Sequence, residues 1–158
     1  LSLQRKMLAL PPKGIHIVID SGHNILYLKK GNGTILQAVV SCGSGSILEE
    51  PGGKRKWIFD TPRGEFYVKS KITDPTWVKP DWAFIEEGKD VPKNQQDRLE
   101  AGVLGDFALG FGDGYFIHGT LYTRLLGRSV THGCVRVGDK DLKVVYKAAS
   151  IGTKIYIY

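Results

Sequence analysis

Three apolar segments follow one another early in the chain, IHIVID, NILYLKK and TILQAVVSCG, separated by the turn-forming stretches SGHN and GNG. Each reads as β-rich, and the spacing is that of strands joined by hairpins. In the first, Ile15, Ile17 and Ile19 alternate with His16, Val18 and Asp20, which predicts a strand with one apolar and one mixed face. A three-stranded meander is the economical reading. The alternation returns in GEFYVKS (64–70) through Phe66 and Val68, after the turn-like TPRG, and predicts a fourth strand. DFALGFGDGYFIHG reads as two more around a GDG turn, with His118 at the end of the second.

Helical periodicity is confined to DKDLKVVYKAAS (139–150), where Leu142, Val145, Tyr146 and Ala149 fall on one face, Asp139 is the expected N-cap, and Gly152 follows. TKIYIY closes the chain as a strand with Ile155 and Ile157 toward the core. Many strands and one helix near the C-terminus predict a mainly-β sandwich or barrel rather than a βαβ sheet. Residues 74–105 show no period and are expected to form a long lid-like loop or groove wall. No repeat interrupts the pattern. With 158 residues and 42% hydrophobic content, one domain over 14–158 behind a short leader (1–13) suffices.

Only two cysteines are present, so the fold does not depend on a disulfide framework. One, Cys134, lies in SVTHGCVRV two residues after His132 and sixteen after His118. That interval suits a strand, a loop and a return, which lets a nucleophile and a base face each other across neighbouring segments. His118, His132 and Cys134 together lack a strong zinc spacing, and the chain has no C-x-x-C for redox chemistry. A thiol nucleophile needs an imidazole to take its proton and backbone N–H groups aimed at a developing oxyanion. Gly133, directly before Cys134, lets the chain approach an acyl group without a Cβ in the way. From Arg124 to Lys147 six basic residues face two acids, and that surplus is expected to favour a thiolate. On spacing alone the blander fates stay open, because a cysteine beside glycine is commonly a small buried hydrophobe and a single histidine a structural residue.

The net charge of +6 and the pI of 9.3 fit an anionic polymer or an acidic substrate. Nucleic acid is disfavoured, since neither an RNP-like nor a helix-turn-helix pattern occurs. Cys42 is expected to be a buried free thiol. His16 and His23 are expected to have no catalytic part, and KRK (54–56) to be a solvated loop.

IHGT followed by GRSVTHGCVRV resembles the signature of the L,D-transpeptidase catalytic domain, or YkuD domain, in which H-G-[ST] precedes [ST]-x-G-C-[IV]-R. TPRGEFYV, DPTWVKPDW, LGDFALGF and the closing helix and strand resemble further family segments in the same order, over residues 14–158. The resemblance implies a sandwich-like fold and a periplasmic or cell-wall enzyme acting on peptidoglycan stem peptides. Any export or anchoring segment, and so any membrane association, would lie outside this chain.

It further implies Cys134 as nucleophile, His118 as general base and the Gly119 carbonyl as the group orienting it. Gly133 and Cys134 are the implied oxyanion donors, with His132, Ser129 and Thr131 shaping the site. Arg136 is expected to hold a substrate carboxylate or brace the loop, and Trp77 and Trp82 to pave the groove. No cofactor or metal is called for. The acceptor stays open between a second stem's amine, an envelope lipoprotein lysine, a free D-amino acid and water. A wall-binding module without catalysis is the competing class, against which the presence of both His118 and Cys134 argues.

Overall fold

The computed structural model describes residues 14–120 and 124–158, so the expected leader lies outside the described residues. Thirteen strands are formed among them: β1 (Ile15–Asp20), β2 (Ile25–Lys30), β3 (Gly33–Ser41), β4 (Ile47–Glu49), β5 (Lys56–Ile58), β6 (Gly64–Tyr67), β7 (Ser70–Thr73), β8 (Thr76–Val78), β9 (Leu99–Ala101), β10 (Phe107–Gly112), β11 (Tyr115–His118), β12 (Val135–Val137) and β13 (Lys154–Ile157). Two α-helices, α1 (Asp81–Glu86) and α2 (Asp139–Ala148), and a 3₁₀ turn (Gln95–Arg98) accompany them.

Nine strands make one sheet in the order β6-β13-β1-β2-β3-β12-β11-β10-β7. Its two ends, β6 and β7, are consecutive in sequence, which a flat sheet would forbid. Residues 68 and 69 bridge the ends: Val68 N–H donates to Thr153 O at 2.9 Å, and Lys69 N–H to Gly110 O at 2.8 Å. The sheet is therefore curled on itself around one interior, and this is the form the expected sandwich takes. The stretch expected as one strand at 64–70 divides into β6 and β7 because it must serve both edges.

The meander is formed as expected, with β1, β2 and β3 antiparallel neighbours. β1 also pairs in parallel with β13. Ile17 and Ile19 are fully buried, yet His16 and Val18 on the other face are nearly so. The mixed face is thus covered rather than solvated: the ring of His16 meets Tyr156 edge-on at 6.0 Å, and its Nδ1 lies 3.1 Å from Gly14 O.

Inside the curl Leu26, Leu28, Val40, Leu109, Phe111, Ile117, Val135, Val137, Ile155 and Ile157 form the core. Each such aliphatic side chain gains about 1.5–3 kcal/mol by leaving water. Helix α2 closes it with Leu142 and Val145. Its N-cap is Gly138 rather than Asp139, which instead begins the first turn, where it and Asp141 complement the helix dipole.

Residues 74–105 are not a bare loop. They hold β8 paired with β9, α1 and the 3₁₀ turn. A second hairpin, β4–β5, takes in the end of KRK: all three residues are exposed as expected, but Lys56 is a strand residue, and Arg55 pairs with both Glu50 and Asp81. The hairpin is thereby tied to α1.

Candidate active site

Strands β10 and β11 turn through Asp113 and Gly114, both at positive φ (53° and 78°), the geometry for which an Asp-Gly pair is suited. β11 then runs parallel to β12 with Ile117 opposite Val135 and His118 opposite Arg136. Side chains alternate along a strand. Because Ile117, Val135 and Val137 point into the core with no exposure, Phe116, His118, Cys134 and Arg136 fall on the opposite face. All four line one groove of about 700 Å³. Cys134 directly precedes β12, two residues before Arg136, so it is the diagonal neighbour of His118 on the adjacent segment, a relation that brings long side chains within reach.

The His118 ring is fixed by its own backbone neighbour. Its Nδ1 lies 2.6 Å from Gly119 O, so Nδ1–H donates to that carbonyl and Nε2 is left as the acceptor. Gly119 is itself held: its N–H donates to Leu104 O at 2.9 Å. A Cβ at Gly119 would meet Asp139 Oδ1 at 2.7 Å, and one at Gly105 would meet Gly119 Cα at 2.7 Å. The two glycines therefore allow a backbone contact that no larger residue could share. Burial, with a smaller contribution from Arg136, holds the His118 imidazolium pKa down at about 4.

The loop before Cys134 is braced along its length. Thr131 N–H donates to Cys42 O at 3.0 Å, Ser44 N–H to Thr131 O at 2.9 Å, and Thr131 Oγ1 to Cys134 O at 2.6 Å. Gly133 N–H is directed at Thr131 Oγ1 at 3.3 Å. Gly133 has φ +123°, and a Cβ there would sit 2.8 Å from Tyr115 Cε1. Ser129 accepts from Asn24 Nδ2 at 3.1 Å. Thr131 lines the groove, whereas Gly133, which is buried, and Ser129, which is exposed, do not.

Burial pushes the Cys134 thiol pKa upward, and its opponents are smaller: a hydrogen bond from the Phe116 backbone and the charge of Arg136. The expected thiolate is not the resting state. Of the six basic residues between 124 and 147 only Arg136 acts on the sulfur, because the others are exposed and solvent screens them. Both shifts run toward the neutral forms, thiol and imidazole.

His132 is built into the wall. It stacks on Trp82 at 4.5 Å, meets Phe59 edge-on at 4.6 Å, and its Nε2 lies 2.9 Å from Glu86 Oε2. Trp77 is 6.0 Å from Trp82, and both line the groove, as do Trp57, Phe59 and Tyr115. Arg136 is half-buried and has no carboxylate within ion-pair distance among the described residues. Cys42 is buried with its thiol free of any disulfide, and burial raises that thiol to about 11. Among the described residues no cluster of three or more His, Cys, Asp or Glu is arranged around a metal position.

Sequence pattern does not single out Asn24, Phe59, Thr61 or Glu86. They reach the Ser129–Cys134 loop only through tertiary contact, with Glu86, Thr61 and Asn24 bonded to it across 46, 72 and 105 residues. Local pattern carries no trace of such contacts; Thr61 alone falls in a segment, TPRG, that is marked as a turn.

The family model of the YkuD domain, the L,D-transpeptidase catalytic domain, matches residues 14–157. The protein named "Probable L,D-transpeptidase YbiS" of Escherichia coli strain K12 is 30% identical over 161 residues, covering 91% of this chain and 45% of its own length. "Probable L,D-transpeptidase ErfK/SrfK" of Salmonella typhimurium is 30% identical over 139 residues, covering 84% of this chain and 40% of that protein. The chain thus spans less than half the length of these relatives. In fold it is similar to an L,D-transpeptidase from Mycobacterium smegmatis, with a TM-score of 0.67 at 17% identity over 91% of this chain and 58% of that one. A similar likeness holds to the L,D-transpeptidase of Xylanimonas cellulosilytica, with a TM-score of 0.67 at 21% identity over 100% of this chain and 70% of that one. With the family match running through the curled sheet, the His118 strand and the Cys134 loop, this chain belongs to the YkuD family of L,D-transpeptidase catalytic domains.

Proposed function

We propose that this domain is a cysteine L,D-transpeptidase acting on peptidoglycan stem peptides in the periplasm or cell wall. The observation that carries the reading is the 2.6 Å hydrogen bond from His118 Nδ1 to Gly119 O, which leaves Nε2 as a proton acceptor in the groove that Cys134 lines. With both groups neutral at rest, the Cys134 S–H proton passes to His118 Nε2 as sulfur attacks the carbonyl between the third residue and the terminal D-alanine. The C–S bond forms, the C–N bond breaks, and the imidazolium returns its proton to the departing amine of D-alanine. A thioester on Cys134 is left. An acceptor amine, deprotonated by His118, then attacks it and frees the thiol.

Arg136, half-buried beside both groups and without a carboxylate partner among the described residues, suits a carboxylate of the stem peptide. Trp77, Trp82 and His132 offer a flat wall to the donor or acceptor chain. Acceptors consistent with this chemistry are a second stem's amine and a lipoprotein lysine; water would make the domain a carboxypeptidase.

The test is incubation of purified protein with a tetrapeptide stem, alone and with an amine acceptor, followed by mass analysis of the products. Release of D-alanine with a cross-linked product is expected. Release without one assigns water as acceptor, and no release in either case overturns the enzymatic reading in favour of a binding module.

A further inference from the structure

We propose that Thr61 is a positioning residue that aims the backbone N–H of Cys134 into the groove as the oxyanion donor; the inference rests on the acyl-transfer reading above. Thr61 is 3% exposed and lies behind the groove surface. Its Oγ1 accepts the Gly43 N–H at 2.7 Å and donates to Gly133 O at 2.8 Å. A hydroxyl has one proton. With the Gly43 N–H occupying its acceptor side, that proton is directed at the Gly133 carbonyl. The neighbouring Cys42 thiol, which burial keeps protonated, offers no thiolate to draw that proton away.

The consequence follows from peptide geometry. The Gly133 C=O and the Cys134 N–H belong to one peptide unit, and the described chain has no cis peptide. In a trans unit these two bonds point in opposite directions. A carbonyl held toward Thr61, which is buried and does not line the groove, therefore turns the Cys134 N–H away from that buried side.

A brace is needed here because glycine permits rotations of the peptide plane that other residues resist. The close packing around Thr61 keeps the brace in place: a Cβ at Gly43 would sit 2.5 Å from Phe59 O and 2.6 Å from Thr61 N. The neighbouring N–H, that of Gly133, is directed at Thr131 Oγ1. Cys134 thus supplies the donor that this loop can turn toward an acyl oxygen.

Two rates at Cys134 separate aiming from simple support. Acylation by a p-nitrophenyl ester or by the tetrapeptide stem develops an oxyanion; alkylation by iodoacetamide does not. Thr61→Val keeps the shape and loses the hydroxyl, and it is expected to slow acylation about 10- to 100-fold while alkylation changes less than about two-fold. Thr61→Ser restores the hydroxyl and is expected to recover most of the acylation rate. Should Thr61→Val fail to fold, Thr61→Ala is read in the same pair of assays.

Equal loss of both rates would make Thr61 a structural support only and overturn the assignment. Undiminished acylation in Thr61→Val overturns it as well, with the acyl-transfer reading intact. Absence of acylation in the unmodified protein, by either donor, overturns that reading and the role of Thr61 together.

Discussion

The floor of the groove and its outer wall are built on different principles. The floor is β11, β12 and the Thr131–Cys134 loop, where backbone register places His118 and Cys134 and where Gly105, Gly119 and Gly133 leave no room for a side chain. The wall is β4–β5, β8–β9 and α1, short elements joined by ring stacking and by partly exposed ion pairs such as Arg55–Asp81 at 2.6 Å and Arg98–Asp81 at 2.7 Å. Covalent geometry and burial set the first, and solvent-screened contacts set the second. Chemistry that tolerates little displacement belongs on the floor, while substrate recognition can be carried by a wall that yields.

The largest difference is expected from the base. His118→Ala should lower the acylation rate of Cys134 by about 10²- to 10⁴-fold while circular dichroism shows a folded protein. A smaller loss would mean that the floor does not depend on this ring. The stability of the floor should also depend on acid. Because burial lowers the His118 pKa from 6.5 to about 4, the unfolded chain binds its proton first as pH falls. Stability attributable to this group is full above pH 6.5, declines between 6.5 and about 4, and the whole loss is about 3 kcal/mol. Denaturation across that window should show the slope in the unmodified protein and lose it in His118→Gln.

Gly133→Ala comes next. With φ +123° and a Cβ 2.8 Å from Tyr115, the substitution should cost about 1–3 kcal/mol in chemical denaturation. On the wall, Trp82→Ala removes the ring stacked on His132 and should raise KM for the stem peptide several-fold with a lesser change in kcat. An equal fall in kcat would place Trp82 in the chemistry and blur the division. The smallest effect is expected for Arg55→Ala, whose loss of thermal stability should fade as salt is raised, since the guanidinium is itself exposed.

The same division decides what can be read from sequence. Alternation in β1 and β13, the Asp113-Gly114 turn and the period of α2 are local signals, and they predict the strands and helix that carry the floor. The wall escapes because β8 and β9 are three residues each and α1 is six, too short for a period to show. The thiolate expectation fails for another reason: counting charges along the chain ignores burial, which outweighs Arg136 at the sulfur. Thr61 stands beside a recognisable turn, but nothing local says that its hydroxyl reaches Gly133, 72 residues away.

The sharpest experiment locates the acyl group. Protein incubated briefly with the tetrapeptide stem, quenched in acid and examined by intact mass and peptide mapping should carry one thioester-linked acyl group, on the peptide containing Cys134, with Cys42 unmodified. Turnover of the stem without any adduct on Cys134, or an adduct on another residue, would be incompatible with Cys134 as the nucleophile.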